Sequence, residues 1–567
     1  MLCGGAAAVP GGSGRPAARC GQCRAVRGRP VRGARRRRPG PPTVARGPRP
    51  VPRGGRRGRR VREHGPPRPP RLTSRRGRRP TPLRLARTER FDHPESAGRC
   101  RSAAREISEE GVQMLRNHGL NRRAFLKSTG ATAVLGAVGA RSALASEVAA
   151  TDVAPAGLGV AGEEFDFDEI YDRRGTDCVK WDRAIEQFGP DLEVGMGIAD
   201  MDFRAAPCIT RAIAERSAHE NWGYQHRDSS FTDAVVAWNQ RRYDLDIDPS
   251  TIVWTSGVHP GIIAGLHTFA PPGSRVLMTT PTYNGFYSDL RFARNVAEDS
   301  EMKVVDGVYE IDWDDFERRV QRVHAFILCN PQNPTGNCWS AEDMTRMGEI
   351  CLEHRVPVLS DEIHCDFVTK GQKYTPFASL DPKIVDNSVT FKSNSKTFSL
   401  AANKVAWYFS TNPSFMTRLR QYTRADLSTL GMYAARAANN EGDEWLDQLL
   451  VYLDGNHDLT ESYIRENVPG VKYTKAQGTF LAWLDMGGLM DRIDAQGKAD
   501  YENRTAADPV SPESILQRWL AENARIYLNN GPSYGTGGER HMRMNIATSR
   551  TLVKRALDNL STAVAEL

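Results

Sequence analysis

The chain has 567 residues, 40% of them hydrophobic and 26% charged, with a formal net charge of +9; that is length enough for two or more domains with buried cores. The positive balance does not mark a nucleic-acid binder: residues 1–145 hold 35 of the 77 basic residues and 7 of the 68 acidic ones, leaving 42 basic and 61 acidic residues in an acidic body. Of ten cysteines, six lie in that body (Cys178, Cys208, Cys329, Cys338, Cys351 and Cys365), none at C-x-x-C spacing, so neither a zinc site nor a redox pair is indicated and buried free thiols are expected.

Residues 1–113 are rich in Arg, Pro and Gly, contain no lysine and have no apolar periodicity, a composition that buries too little apolar surface to fold. Two readings stand for this segment. It is either a polyanion-binding arm or an upstream stretch translated from a misassigned start. Residues 114–145 have the layout of an export signal. Asn121-Arg122-Arg123-Ala124-Phe125-Leu126-Lys127 resembles the twin-arginine motif, a mildly apolar stretch runs from Ser128 to Ala140, and Ala143-Leu144-Ala145 suits cleavage before Ser146. The stretch is too short and too weakly apolar to span a membrane permanently. An ordinary amphipathic helix is the competing reading, and the order of the elements favours the signal. Export by the twin-arginine machinery to the cell envelope or beyond is therefore expected, and that route carries folded proteins with cofactors already bound.

From Phe165 onward short apolar runs alternate with helical patterns. Thr251–Thr255, Arg275–Met278, Ala325–Cys329, Val356–Ser360 and Val405–Ser410 read as buried strands, and Ala341–His354 as a helix between two of them. That alternation predicts an α/β layer architecture with a largely parallel sheet. After Leu430 a long helical stretch to Asn467 precedes Gly478–Leu484, read as a strand of a smaller C-terminal α+β domain. Residues 487–512 are polar and turn-rich, and read as a surface insertion. The expected organisation is a linker and N-terminal segment of the small domain over 146–202, a large domain over 203–435 and a small domain over 436–567.

Two runs carry chemistry. Val356–His364 is a β-rich stretch delivering Asp361, and about thirty residues later Lys396 stands among small hydroxyl residues in Phe391–Leu400. An amine for an aldehyde and a carboxylate for a ring nitrogen are what pyridoxal 5′-phosphate requires. The residues after the lysine, Thr-Phe-Ser-Leu-Ala-Ala, read as buried rather than solvated.

Further segments extend this pattern along the body. They are Phe167–Ile170, Asp172–Thr176, Ala199-Asp200-Met201-Asp202-Phe203, Asn330-Pro331-Gln332-Asn333-Pro334-Thr335-Gly336, Ser360–His364, Ser395–Phe398 and Met542–Ala547. On these motifs residues 165–567 resemble fold-type-I pyridoxal phosphate enzymes of the aminotransferase class I/II superfamily, nearest the MalY/PatB-type cystathionine β-lyases (cysteine-S-conjugate β-lyases). The resemblance implies a large, mostly parallel-sheet domain with a smaller α+β C-terminal domain.

It also implies roles residue by residue. Lys396 would link covalently to the cofactor aldehyde, and burial near positive charge would lower its pKa. Asp361 would hold the ring nitrogen, a strand-end cap being the plainer alternative. Asn333 would donate to the ring oxygen, and His364 would sit near that oxygen. Ser256–Gly261 follows a strand and opens a helix, which suits a phosphate cup. Val258 and His259 would offer backbone amides there, Ser393 a hydroxyl and Lys404 a charge, where aminotransferases often carry Arg. Tyr283 would stack on the ring and Tyr224 would reach the phosphate of a neighbouring subunit, implying a homodimer. Arg543 would clamp the substrate carboxylate, a surface position on an amphipathic strand being the alternative.

The expected activity is β-elimination from cystathionine or another S-substituted cysteine, giving thiol, pyruvate and ammonia. The alternatives are a class I/II aminotransferase acting on an L-amino acid and a regulatory protein that keeps the fold without catalysis. The expected partners are a small amino-acid substrate and a second copy of the chain, with no nucleic acid, no metal and no stable membrane span.

Overall fold

A computed structural model of the chain describes residues 163–567. The assignments made above for 1–113 and 114–145, and for the first part of 146–202, lie outside the described residues.

Seven strands form the main sheet: β1 Val253–Thr255, β2 Arg275–Thr280, β3 Val296–Glu301, β4 Ala325–Cys329, β5 Val358–Asp361, β6 Ser388–Lys392 and β7 Ala406–Phe409. Their spatial order is β1-β7-β6-β5-β4-β2-β3. Only β7 runs against the others, pairing antiparallel with both β1 and β6. The predicted parallel character holds for the remaining strands. β4, β5 and β6 are buried at every position, as expected of strands covered on both faces. Helices α1 Val258–Phe269 and α2 Gly285–Ala293 cover one face through Ile262, Leu266, Phe286 and Leu290. Phe316, Val320, Met344 and Met347 cover the other.

A second, three-stranded antiparallel sheet contains β8 Leu481–Asp485, β9 Asn529–Asn530 and β10 His541–Asn545, in the order β8-β10-β9. The segment before the main sheet joins this region, because Val194–Gly195 pairs parallel with Ile526–Tyr527. Arg543 alternates with Met542 and Met544 as the sequence suggested, yet all three are buried. The strand is covered on both faces, so the surface reading of Arg543 does not hold.

Three expectations need correction. The long helix after Leu430 is two helices, α4 Thr429–Glu441 and α5 Asp443–Asn467. They part at Gly442, where a β-carbon would meet the Phe398 ring. Residues 503–511 are the exposed, turn-rich segment expected, but residues 487–502 are not a surface insertion. Gly487–Arg492 and Ala495–Glu502 are helices that bury Leu489, Met490, Ile493, Ala495 and Ala499 in the core around β8 and β10. Their polar residues lie on the outer faces, and apolar residues spaced across two short helices read as turns when taken one by one. Ser393, expected to serve phosphate, is occupied elsewhere, as described below.

Among the described residues no helix is long and apolar enough to cross a membrane, no group of acidic, His and Cys side chains could hold a metal ion, and all six cysteines are free.

Candidate active site

The chemistry-bearing residues converge because they follow the C-terminal ends of strands that run in one direction. Val258 and His259 follow β1, Tyr283 follows β2, Asn333 follows β4, Asp361 ends β5, and Lys396 follows β6. In open α/β sheets that edge is where loops form a crevice. A cavity of about 190 Å³ opens there, lined by Gly257, Val258, His259, Tyr283, Asn333, Asp361, His364, Lys396 and Lys404, with Ser256, Cys329 and Ser395 among others. A roomier groove of about 580 Å³ between Pro207–Ser217 and α4 carries Arg211, Glu215 and Arg436 but no buried unpaired polar atom among the described residues. The smaller cavity is the one with chemistry.

Lys396 sits on the short helix α3 Asn394–Thr397, capped by the Ser393 hydroxyl, which accepts from Ser395 N–H. That same hydroxyl donates to the Val405 carbonyl at 2.7 Å. Ser393 therefore fastens the turn, while Ser395 lines the cavity. The sequence offered both serines, and only the cap geometry separates them. The Lys396 Nζ donates to the Ala199 carbonyl at 2.7 Å. Burial, then the nearby Arg543 charge, brings its pKa down to about 8, with Asp200 and Asp361 opposing.

Asp361 is buried, and burial pushes its carboxyl up to about 7. It accepts a hydrogen bond from Ile363 N–H at 3.1 Å, and no cationic side chain among the described residues pairs with it. A buried carboxylate without a cation is costly unless a positively charged partner arrives. His364 is buried with Nδ1 unpartnered, and burial holds its pKa well below the ordinary value. It faces Phe367 and Phe480 as a neutral ring.

Arg543 donates to Asn333 Oδ1 at 3.1 Å and to the Gly197 carbonyl at 2.9 Å, and lies 5.1 Å from the Tyr534 ring centroid. Its Nε is buried without a partner, and no carboxylate among the described residues pairs with it. Asn333 spends its oxygen on Arg543, so its NH₂ end is the one left to donate. The strap Gly197–Asp200 holds this group together by its carbonyls. Gly197 takes Arg543 and Ala199 takes Lys396, while the Asn545 amide reaches Ile198 at 2.5 Å and Asp200 at 2.6 Å.

α1 begins at Val258 with its N-terminal residues on the cavity wall, where free amides and the helix dipole favour an anion. The His259 ring does more than its backbone promised, since it bonds Asp289 on one side and the Tyr283 hydroxyl on the other. Asp289, Ser395 and Asn545 are the residues sequence reasoning missed. Asp289 had no motif, and the other two stand beside residues already singled out. Tyr224 is not in this cavity; it is fully exposed.

These features fit pyridoxal phosphate. An amine with a lowered pKa, a buried carboxylate awaiting a cation, an unpaired His364 nitrogen, and a helix N-terminus beside Lys404 match its aldehyde, ring nitrogen, ring oxygen and phosphate.

The family described as aminotransferase class I and II matches residues 193–560. Cystathionine beta-lyase PatB of Bacillus subtilis is 35% identical over 406 residues, covering 70% of this chain and 100% of that protein. Among solved structures, cystalysin from Treponema denticola, which contains pyridoxal 5′-phosphate, superposes with a TM-score of 0.65 at 25% identity, covering 71% of this chain and 100% of its own. The PLP-bound C-S lyase from Staphylococcus hominis gives a TM-score of 0.62 at 27% identity, covering 71% and 99%. With the family matched over most of the body and relatives aligned along their whole lengths, this chain belongs to the aminotransferase class I and II family.

Proposed function

We propose that this protein is a pyridoxal phosphate-dependent carbon–sulfur β-lyase acting on cystathionine or related S-substituted cysteines. The observation that carries the reading is the similarity, over 70% of this chain and the whole of the relative, to a cystathionine β-lyase, together with the likeness to C–S lyase structures.

When bound, pyridoxal phosphate withdraws electrons from the substrate Cα and so makes both loss of its proton and departure of a β-thiolate possible. Lys396, Asp361, the α1 N-terminus and Lys404 would hold it. The Asp361 carboxylate would face the ring nitrogen and favour its protonated form. Arg543 offers its guanidinium to the substrate α-carboxylate, a match between planar fork and planar anion. Lys396, neutral at a far lower pH than an ordinary lysine, takes the proton from Cα. Asn333, tied to Arg543, would offer its NH₂ end to the ring oxygen. Tyr283 forms the aromatic wall. The overall change is loss of thiol from the substrate, with one water consumed as the remaining three-carbon unit leaves as pyruvate and ammonia.

The test is cystathionine supplied without any keto acid to protein beginning at Ser146. Pyruvate, ammonia and thiol released over many turnovers support the lyase. A single half-turnover that resumes only when a keto acid is added refutes it and identifies an aminotransferase.

Two further parts of the reading concern context. Tyr224 is fully exposed beside Trp222, which suits a residue that completes the site of a second copy. A homodimer by light scattering, with weakened cofactor binding in Tyr224→Phe, is the expected result, and a monomer of full affinity would refute it. The order of twin-arginine motif, apolar stretch and Ala-Leu-Ala supports export, and mass spectrometry of the secreted protein should find Ser146 as the first residue.

A further inference from the structure

The cavity holds a second built arrangement besides Lys396, Asp361 and Arg543. Asp289, buried on α2, brings its two carboxylate oxygens to 2.9 and 2.8 Å from His259 Nδ1. On the other side of the ring, His259 Nε2 stands 3.2 Å from the Tyr283 hydroxyl. The two rings are tilted, with centroids 5.5 Å apart. Both pack onto the backbone where α2 begins. A β-carbon at Gly285 would overlap the Tyr283 ring and meet His259 Cε1, so only glycine lets the pair lie that close.

The chemistry of the contacts fixes the protons. An ionised carboxylate only accepts, so Nδ1 carries a hydrogen in either charge state of the ring. The state of Nε2 then decides what the Tyr283 hydroxyl does. In the neutral ring Nε2 has a lone pair and takes the phenolic O–H. In the imidazolium Nε2–H donates to the phenolic oxygen instead, and the Tyr283 O–H is free to turn into the cavity.

We propose that His259 and Asp289 are positioning residues that hold Tyr283 against the cofactor seat and set the direction of its hydroxyl through the protonation of one ring nitrogen. The inference rests on the reading of this cavity as the pyridoxal phosphate seat. Asp289 faces His259 from α2, Tyr283 from the loop after β2, Asp361 from the end of β5 and Lys396 from α3, and Lys404 lines the same cavity. Burial opposes the imidazolium, but Asp289 outweighs it and Asp361 adds to the effect, while Lys396 subtracts. The net result is a pKa raised from the ordinary value. The free, outward hydroxyl thus belongs to the acid side and is lost as pH rises past that point.

The experiment measures pyridoxal phosphate dissociation constants across about pH 5.5 to 9 for wild type, His259→Gln, Asp289→Asn, Tyr283→Phe and the His259→Gln/Tyr283→Phe double variant. His259→Gln keeps a polar amide near the hydroxyl but does not titrate. It should remove the His259 inflection, leaving that of Lys396 at about pH 8, and weaken binding about three- to tenfold, the range of one ordinary hydrogen bond. Asp289→Asn should shift the His259 inflection to lower pH. In the double variant the effect of His259→Gln should vanish, because Tyr283 has no hydroxyl left to direct. Additive effects in that cycle, or an inflection below that of Lys396 that persists in His259→Gln, would overturn the proposal. Melting temperatures of the cofactor-free variants identify any that fail to fold; Tyr283→Phe alone must then abolish the inflection that wild type shows below that of Lys396, and its persistence overturns the proposal equally. No turnover enters these readouts. A wild type that binds cofactor but makes no pyruvate refutes the lyase reading alone, and one that binds no cofactor refutes both.

Discussion

Lys396 should behave as an amine that loses its proton at about pH 8, far below an ordinary lysine, and this can be read without cofactor or substrate. Its pKa of about 8, against an ordinary 10.5, leaves about one amine in ten neutral at pH 7, compared with about one in three thousand for an ordinary lysine. That is a gain of about 300-fold in reactive amine. The assay is trace acylation of the cofactor-free protein at a series of pH values, read by mass spectrometry at the Lys396 peptide and referred to the exposed Lys472. Labelling of Lys396 should rise about tenfold per pH unit below pH 7 and level off above about pH 8. Arg543→Gln should move the plateau to higher pH, because the Arg543 charge is the second cause of the depression after burial. The plateau should remain below the ordinary lysine range, because burial persists. A rate still climbing tenfold per unit at about pH 9.5 would refute the reasoning, since the amine would then be ordinary.

Three further outcomes are expected. Lys396→Ala should remove the visible absorption band of a lysine-linked pyridoxal phosphate, and an unchanged spectrum would refute the site. Arg543→Lys exchanges a planar fork for a point charge, loses the Asn333 and Gly197 geometry, and should lower kcat/KM about 10- to 100-fold by steady-state kinetics, mostly through KM. Gly431→Ala places a methyl group on the Asn403 carbonyl oxygen and Val405, where α4 packs behind the turn bearing Lys404. It should cost about 1 to 3 kcal/mol in urea unfolding, the usual range for overpacking.

Much of the fold was legible because its signals are local. β4 is five apolar residues without interruption, and the helix at Ala341–Glu353 has a periodic apolar face capped by Ser340. A fully buried parallel strand and an amphipathic helix each announce themselves within a dozen residues. Where the reading failed, the deciding contact was distant. The Phe398 ring for which Gly442 leaves room lies over forty residues away. The helices of 487–502 are apolar only where they meet a core that the sequence does not display.

The site divides in the same way. Lys396 and Asp361 were nominated from their own runs, and Asn333 and Arg543 by the family resemblance that the motifs carry. The sequence by itself nominated the chemical groups that this protein would offer to its cofactor. Only the tertiary structure decided which of two serines faces the cavity, that Arg543 is buried without an acid, and that Asp289 stands behind His259. Those properties come from desolvation and from hydrogen-bond geometry between strands, turns and helices far apart in the chain, which no local pattern of residues encodes.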